Sequence, residues 1–226
     1  MLSSFIKHVY LSYPITSKIP VYGGIADIKR NQVKSISSGS SANVYSVTME
    51  NHWGTHIDAP NHFFENGLMV NDYPADFWFF KNPMVIHIDL KPGELLGCSG
   101  WTDQIKPDMD IILFKSEWGK LRKTEKYGID NPGIHPEVGF FLREQYPSVR
   151  AVGIDWVSIS SFKNREAGRQ AHHAFLDPDG VNNPVLIIED MDLSHDLRRL
   201  REVWVAPLRV EGIDSAPCTV MGLIND

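Results

Sequence analysis

The sequence has few cysteines and no surplus of positive charge, and these shortages exclude several classes of protein. Only Cys98 and Cys218 occur in 226 residues, and no CxxC pair is present. Neither a thiolate zinc site nor a redox dithiol is therefore expected. We expect two buried free thiols, as in a reducing compartment. The formal net charge is −6, whereas a nucleic-acid-binding surface would be basic, so no nucleic-acid partner is expected.

Long apolar runs are missing too. No stretch approaches the ~20 residues that a membrane-spanning helix needs. The first fifteen residues lack the apolar core and cleavage pattern of a secretory signal. The sequence therefore predicts no membrane partner and a cytoplasmic location. It also lacks the GxSxG elbow of serine hydrolases, the phosphate-binding loop of P-loop NTPases and the dinucleotide-binding glycine fingerprint.

Short runs rich in Val and Ile, separated by turns, dominate what is present. Helices are predicted from about Pro136 to Gln145 and over Arg165–Leu176. The Ser-rich segment 35–44 is expected to be a mobile surface loop. The pattern predicts one domain over residues 1–226, of the α/β or α+β class with a mixed sheet. Strands are predicted at residues 44–49, 84–90, 110–115, 149–157, 185–189, 204–210 and 217–224.

The most informative stretch is residues 51–64, NHWGTHIDAPNHFF. It holds His52, His56 and His62, with Asp58 between them and aromatic residues on either side. Imidazole and carboxylate are ligands that zinc and manganese accept. The alternative is an ordinary polar loop with its histidines satisfied by backbone carbonyls. Because burying so many ionisable groups is costly unless they are paired or metal-bound, the cluster predicts a metal site.

Backbone geometry tests the spacing of these residues. Gly54 and Pro60 both oppose a helix, so the helical HExxH arrangement is not expected. In an extended chain, His56 and Asp58 project to the same face. Gly54 permits the turn that returns His52 to them. We therefore predict that these two histidines and the aspartate hold a metal where a strand passes into a loop.

Residues 52–62 read HWGTHIDAPNH, which matches the signature HxGTHxDxPxH without a gap. This signature resembles that of the cyclase / bacterial kynurenine formamidase superfamily of metal-dependent hydrolases. Later segments resemble further elements of the same superfamily: 152–155 (VGID), 172–176 (HHAFL), 188–190 (IED) and 211–217 (EGIDSAP).

The resemblance implies a swivelling β/β/α-type α/β fold with a partly barrel-like sheet, a homodimer or homotetramer, and one or two divalent ions per subunit. We expect zinc, with manganese as the alternative. It implies His62 as the catalytic acid and base, with a ligand role as the alternative. The adjacent His173 could replace His172, but the spacing to Phe175 and Leu176 favours His172. The implied metal ligands are His52, His56, Asp58, His172 and Glu189.

The resemblance further implies hydrolysis of an amide in a small-molecule substrate by metal-activated water. The implied activity is arylformamidase-like, on N-formylkynurenine or a related aryl formamide, as in tryptophan catabolism. The aromatic side chains of Trp53, Phe63 and Phe64 are candidates for the substrate pocket. Segments Ser158–Phe162 and Asp177–Pro184 depart from the family pattern where substrate would be selected.

Two other functions stay open at this point. The same chemistry could open a cyclic amide, imide or lactone, as an isatin hydrolase does. The cluster could instead form a metal-binding module without turnover, in which no coordination position is left open. Asp190 and Asp192 add negative charge beside Glu189 and receive no ligand role. Arg165 and Arg169 fit a solvated helix face better than a carboxylate-binding site.

Overall fold

The structure is a computed structural model that describes residues 6–225. Its helices are α1 (Lys126–Ile129), α2 (Pro136–Gln145) and α3 (Arg165–Leu176). Its strands are β1 (Ile6–Tyr10), β2 (Lys18–Val21), β3 (Gly24–Asp27), β4 (Lys29–Lys34), β5 (Val44–Thr48), β6 (His56–Asp58), β7 (Phe79–Phe80), β8 (Pro83–His87), β9 (Leu95–Leu96), β10 (Ile111–Lys115), β11 (Gly133–Ile134), β12 (Ala151–Ile154), β13 (Leu186–Glu189), β14 (Leu200–Pro207) and β15 (Ser215–Asn225).

A nine-stranded sheet in the order β7-β14-β15-β6-β13-β12-β10-β8, with β1 on β15, organises the fold. Strands β8, β10, β12 and β13 are mutually parallel, whereas the remaining pairings are antiparallel. Only Lys81 and Asn82 separate the edge strands β7 and β8 along the chain, so the two edges approach each other. The predicted α/β class with a mixed, partly barrel-like sheet is confirmed.

Side chains of β10 alternate between two hydrophobic cores, as the period of a strand requires. Ile112 and Phe114 pack with helices α2 and α3 on the outer face. Ile111 and Leu113 face the concave side, where β6, β13, β14 and β15 contribute further apolar side chains. Both faces are thus covered, which explains the uninterrupted apolar run in this parallel strand.

Both predicted main helices are confirmed with their predicted bounds. Pro136 occupies the first turn of α2, where its missing N–H costs nothing. The side chain of Asn164 accepts the N–H of Ala167 and caps α3. Where the helices cross, a Cβ on Gly139 would lie 2.9 Å from the carbonyl carbon of Ala174, so only glycine permits this approach.

The N-terminal strands were not predicted, and several strand bounds move by a few residues. Segment 35–44 is exposed, but it joins β4 to β5 and contains a short 3-10 turn at Ile36–Ser38. Strand β14 begins at Leu200 because it pairs with β15 from that residue onward, and it ends at Pro207, short of the predicted 210. Long-range pairing, which local propensity does not encode, sets these bounds.

The expectation of two buried thiols is half right. Cys98 and Cys218 are both free, but only Cys218 is buried, whereas Cys98 is half-buried. Among residues 6–225, no helix has the length and apolar character needed to cross a membrane.

Candidate metal centre

Strand β6 brings the first ligand candidates together through its pairing. It lies between β13 and β15, with His56 opposite Glu189 on one side and Asp58 opposite Ser215 on the other. His56 and Asp58 share one face of the strand, while Ile57 between them enters the concave core. The predicted strand therefore exists, and its register places a second carboxylate, Glu189, beside His56.

A turn at Gly54 returns His52 to the strand. Gly54 has φ +74°, in the left-handed region that glycine adopts without strain. A Cβ at this position would also lie 2.9 Å from Cδ1 of Ile19. The result of the turn is that Nδ1 of His52 lies 3.1 Å from Oδ1 of Asp58.

Helix α3 contributes His172 from the opposite side. Its Nε2 lies 3.7 Å from Oδ2 of Asp58 and 3.8 Å from Oε1 of Glu189. Its Nδ1 lies 2.9 Å from the carbonyl oxygen of Gly168. The neighbouring His173 points elsewhere, with its ring centroid 4.9 Å from that of Phe64. Of the two adjacent histidines, His172 is the one that the helix directs at the carboxylates.

The loop after β12 fixes the carboxylate of Glu189. Oε1 accepts hydrogen bonds from the backbone N–H of Ile159 (2.7 Å) and the hydroxyl of Ser158 (3.0 Å). Oε2 lies 3.5 Å from Nε2 of His56. The segment whose sequence departs from the family pattern therefore supports a ligand candidate, in addition to any effect on substrate choice.

At the centre of the cluster, hydrogen-bond acceptors of His56 and Asp58 face each other. The carbonyl oxygen of Gly54, 2.8 Å from Nδ1 of His56, can only accept, so this nitrogen carries the proton. Nε2 of neutral His56 is then an acceptor, and it faces Oδ1 of Asp58 at 3.5 Å. Oδ1 is buried and receives no hydrogen bond. A divalent cation between these atoms would satisfy them.

The distances support the same conclusion. Ligands bound at 2.0–2.1 Å in a tetrahedral zinc site lie about 3.3 Å apart. The contacts of Asp58 with His52, His56 and His172 are 3.1, 3.5 and 3.7 Å. Each side chain offers a nitrogen or oxygen donor of the type that divalent transition metals accept. The residues present therefore fit a divalent metal.

The two central carboxyls have opposite pKa shifts. Burial disfavours the charged form of Asp58, but the surrounding histidines outweigh burial and hold the pKa of this carboxyl well below its usual range. Burial and the charge of Asp58 raise the pKa of Glu189 well above its usual range. Burial lowers the pKa of His56. The charge of Asp58 thus opposes ionisation of Glu189, and a bound cation would relieve that repulsion.

Asp214, to which the sequence analysis assigned no role, joins two of the histidines. Its Oδ2 lies 3.1 Å from Nε2 of His52 and 2.8 Å from Nδ1 of His62. Burial lowers the pKa of His52, but the carboxylates of Asp214 and Asp58 outweigh burial and raise it to about 10. No local sequence signal marks Asp214, because its place beside the cluster depends on the pairing of the next residue, Ser215, with Asp58 of β6.

His62 lies at the rim of the cluster on a 3-10 turn, Pro60–His62. Its ring centroid is 4.2 Å from that of His52. One of its nitrogens lies within 4.8 Å of donor atoms of both Asp58 and His172. The Nδ1–H group donates to Asp214, which leaves Nε2 available for proton transfer.

Of the predicted aromatic residues, Phe63 directly contacts this rim. The ring of Phe63 stacks on His172 at 4.7 Å and meets His62 edge-on at 4.7 Å. Trp53 and Phe64 are half-buried nearby in sequence. The aromatic run at residues 77–80 lies away from the rim, against β14 and the concave core.

Comparisons with known proteins show which proteins the chain is similar to. A family model described as "Putative cyclase" matches residues 9–161. Kynurenine formamidase from Bacillus anthracis is 26% identical over 217 residues, covering 93% of this chain and 94% of that protein. Cyclase-like protein 2 from Oryza sativa subsp. japonica is 24% identical, covering 92% of this chain and 75% of that protein.

Solved structures share the fold. Isatin hydrolase A from Labrenzia aggregata, bound to benzyl benzoate, superposes with a TM-score of 0.76 at 19% identity, covering 98% of this chain and 94% of that one. The structure of a potential metal-dependent hydrolase with cyclase activity gives a TM-score of 0.74 at 21% identity, covering 98% and 100%.

Proposed function

The chain belongs to the cyclase family, and on that premise we propose that it is a metal-dependent hydrolase that cleaves an amide bond in a small molecule. The preferred substrate class is an aryl formamide such as N-formylkynurenine. Kynurenine formamidases that align over almost the whole chain support this choice. The reaction adds water across the C–N bond and releases formate and an aromatic amine.

The observation that carries the proposal is the buried, unbonded Oδ1 of Asp58. It lies 3.1 and 3.5 Å from ring nitrogens of His52 and His56 and accepts a hydrogen bond from neither. Zinc is the metal that this nitrogen and oxygen donor set suits, with manganese as the alternative. A bound divalent ion supplies a water of lowered pKa and polarises the substrate carbonyl. The proposed ligands are His52, His56, Asp58, His172 and Glu189.

Several groups of the protein orient the proposed ligands and the proposed acid and base. The backbone carbonyl oxygens of Gly54 and Gly168 accept the Nδ1–H groups of His56 and His172, which fixes both rings with Nε2 directed inward. Asp214 holds the Nδ1–H of His62, so that Nε2 can pass a proton to the departing amine. These contacts orient the reacting groups before substrate arrives.

The half-buried rings of Trp53, Phe63 and Phe64 are the proposed walls of the substrate pocket. Phe63 contacts both His62 and His172, so an aromatic substrate packed on it lies beside the proposed acid and base. Flat apolar walls with a few polar groups are typical of small-molecule sites.

A substrate panel with metal analysis tests the proposal. Purified protein is assayed with N-formylkynurenine, N-formylaniline, isatin and an aryl lactone, while bound metal is quantified by mass spectrometry. We expect formamides to be cleaved fastest, and a chelator to abolish turnover. Faster opening of isatin or the lactone would transfer the proposal to cyclic substrates. A metal-loaded protein that turns over none of them would indicate a binding module.

We also propose that the chain acts as a homodimer or homotetramer, held partly by the hairpin of β4 and β5, here called the arm. Every residue of these two strands is exposed. A two-stranded hairpin alone is marginally stable in water, so the arm needs a surface to cover it. Tyr45 and Val47 share one face of β5 and are 51% and 57% exposed.

The second copy is the proposed occupant because the charges match. Lys29, Arg30 and Lys34 make β4 basic, whereas the whole chain carries −6. Sedimentation of wild type and of a Tyr45→Glu/Val47→Glu variant tests the idea, with Val181→Glu, an exposed apolar residue outside the arm, as control. The arm variant should sediment as a smaller species. Sedimentation unchanged from wild type would contradict the arm's role.

The proposed compartment is the cytoplasm. Both cysteines are free thiols, which accords with a reducing environment.

A further inference from the structure

Asp190 lies directly beyond the ligand candidate Glu189, and its side chain and its carbonyl reach different parts of the fold. We propose that Arg122 and Tyr127 act through Asp190 as positioning residues that hold two ligand-bearing strands, β13 and β6, at the spacing a metal needs. Metal affinity then depends on residues that never touch the metal. This inference rests on the proposed function, because it assumes that the cluster binds a divalent ion.

The backbone of Asp190 is held in an unusual conformation. Its φ is +53°, which few residues other than glycine adopt. Its N–H donates to the carbonyl of Trp156 at 2.9 Å. Strained conformations of this kind persist only where the surroundings over-determine them, and they cluster at functional sites. The bend turns the chain immediately after Glu189.

The side chain of Asp190 supplies much of that restraint. Nε and Nη2 of Arg122 donate to its two oxygens at 2.8 and 2.6 Å. The hydroxyl of Tyr127 donates to Oδ1 at 2.6 Å. The Arg122 guanidinium also stacks over the ring of Tyr13 at 4.1 Å. With both oxygens occupied by donors, Asp190 anchors the chain and is not free to ligate metal.

The carbonyl of Asp190 extends the restraint to the other strand. The hydroxyl of Thr55 donates to it at 2.5 Å, and the same hydroxyl accepts the N–H of Tyr13 at 3.1 Å. Thr55 directly precedes His56, and Asp190 directly follows Glu189. The hydrogen bond between Thr55 and Asp190 thus links β6 to the end of β13, directly beside one proposed ligand on each strand.

A purely structural role is the competing explanation, and the fold offers a matched control for it. At the opposite end of the parallel strands, Arg150 contacts Asp110 at 3.3 Å. This pair also joins separate segments, but none of them carries a proposed ligand. If arginine–aspartate pairs matter here only for stability, disrupting either pair should have the same kind of effect.

Cobalt(II) binding separates the two explanations. Its dissociation constant is measured by chelator competition on wild type and on the Arg122→Gln, Arg122→Lys, Tyr127→Phe and Arg150→Gln variants, with the unfolding midpoint of each metal-free protein. Loss of a group that orients metal ligands typically weakens metal binding 10–100-fold, and we expect a loss in that range for Arg122→Gln. The cobalt affinity of Arg122→Lys should lie between those of wild type and Arg122→Gln, because a lysine cannot bind both oxygens of a carboxylate as arginine does.

Tyr127→Phe removes one hydroxyl and is the variant least prone to unfold; we expect it to weaken binding by about tenfold. Arg150→Gln should lower the unfolding midpoint yet leave cobalt affinity within about twofold, as distant sites act independently. Wild-type affinity in both Tyr127→Phe and Arg122→Lys would overturn the positioning role alone. A wild-type chain that binds no cobalt would overturn the proposed function with it.

Discussion

The two ends of the parallel strands each carry a carboxylate bound by an arginine, but within residues 6–225 only the carboxyl end has a buried side-chain oxygen without a hydrogen-bond partner. At the amino end, Asp110 accepts the backbone N–H groups of Lys81 (2.8 Å) and Asn82 (3.0 Å), and Arg150 donates to the carbonyl of Phe79 (2.9 Å). These bonds join the two edges of the sheet. In the part of the chain that the structure describes, no buried side-chain nitrogen or oxygen at this end lacks a partner.

At the carboxyl end, the pair of Asp190 and Arg122 is equally complete, yet the adjacent Asp58 has a buried oxygen without a donor. Ligand sites of open α/β sheets lie outside the carboxyl ends of the strands, and the candidate site lies at the same end of the parallel strands here. An arginine–carboxylate pair therefore does not by itself mark a candidate site, whereas the unsatisfied oxygen of Asp58 does.

Removing Asp58 should abolish the distinction between the two ends. Asp58→Ala deletes the carboxylate that three histidines surround, so we expect metal affinity to fall more than about 100-fold, beyond the loss typical of residues outside the ligand set, and turnover to disappear. Metal content and activity of the purified variant check this. Asp108→Ala, an exposed change near the amino end, is the control. Full metal loading of Asp58→Ala would contradict the proposed site.

The second change removes His62, at the rim of the histidine cluster. His62→Ala should keep most of the metal and lose about 10²- to 10⁴-fold in kcat, the usual contribution of a positioned acid and base. His173→Ala, whose ring faces Phe64, is the matched control and should change kcat little. Metal analysis beside the kinetic assay decides the role. A metal-free His62→Ala protein would make this histidine a ligand.

A change at the amino end should lower stability and leave kcat unchanged. Arg150→Gln breaks a partly exposed pair and removes donors from loop carbonyls, so we expect the free energy of unfolding to fall by about 2 kcal/mol. Denaturant titration measures the loss. The kcat of the folded variant should equal that of wild type, and a large drop in kcat would mean that the two ends are coupled.

The smallest expected effect concerns the turn at the carboxyl end. Gly54→Ala places a Cβ at φ +74° and against Ile19, which should cost about 1–2 kcal/mol of stability. Gly100→Ala has a similar φ of +86° with no atom within 4 Å of its Cβ. Denaturant titration of both variants separates backbone strain from crowding. Weakened metal binding in Gly54→Ala alone would tie the turn to the site.

Much of this fold was readable from local sequence because its strongest signals are local. Helices α2 and α3 follow from apolar spacing and their caps, and the extended reading of His56 and Asp58 follows from Gly54 and Pro60. Strand bounds, the arm and the N-terminal strands depend on pairing between distant segments, which periodicity does not reveal.

The site shows the same limit at the level of single residues. Asp214 stood in a recognised segment without a role because its contact with His62 spans 152 positions in sequence. Asp190 was noted only as extra negative charge, since neither its left-handed φ nor its Arg122 partner is visible before folding. The candidate ligand residues could be identified from the sequence. Their partners in space could be identified only from the folded structure, in particular from the register of β6.

That register has a consequence for how the molecule comes apart. In the order of the sheet, strand β6, only three residues long, lies between the parallel set ending at β13 and the antiparallel set beginning at β15. An ion held by residues of β6, β13 and α3 would join the two sets. We therefore expect the metal-loaded protein to unfold in one thermal transition and the chelated protein to unfold in two.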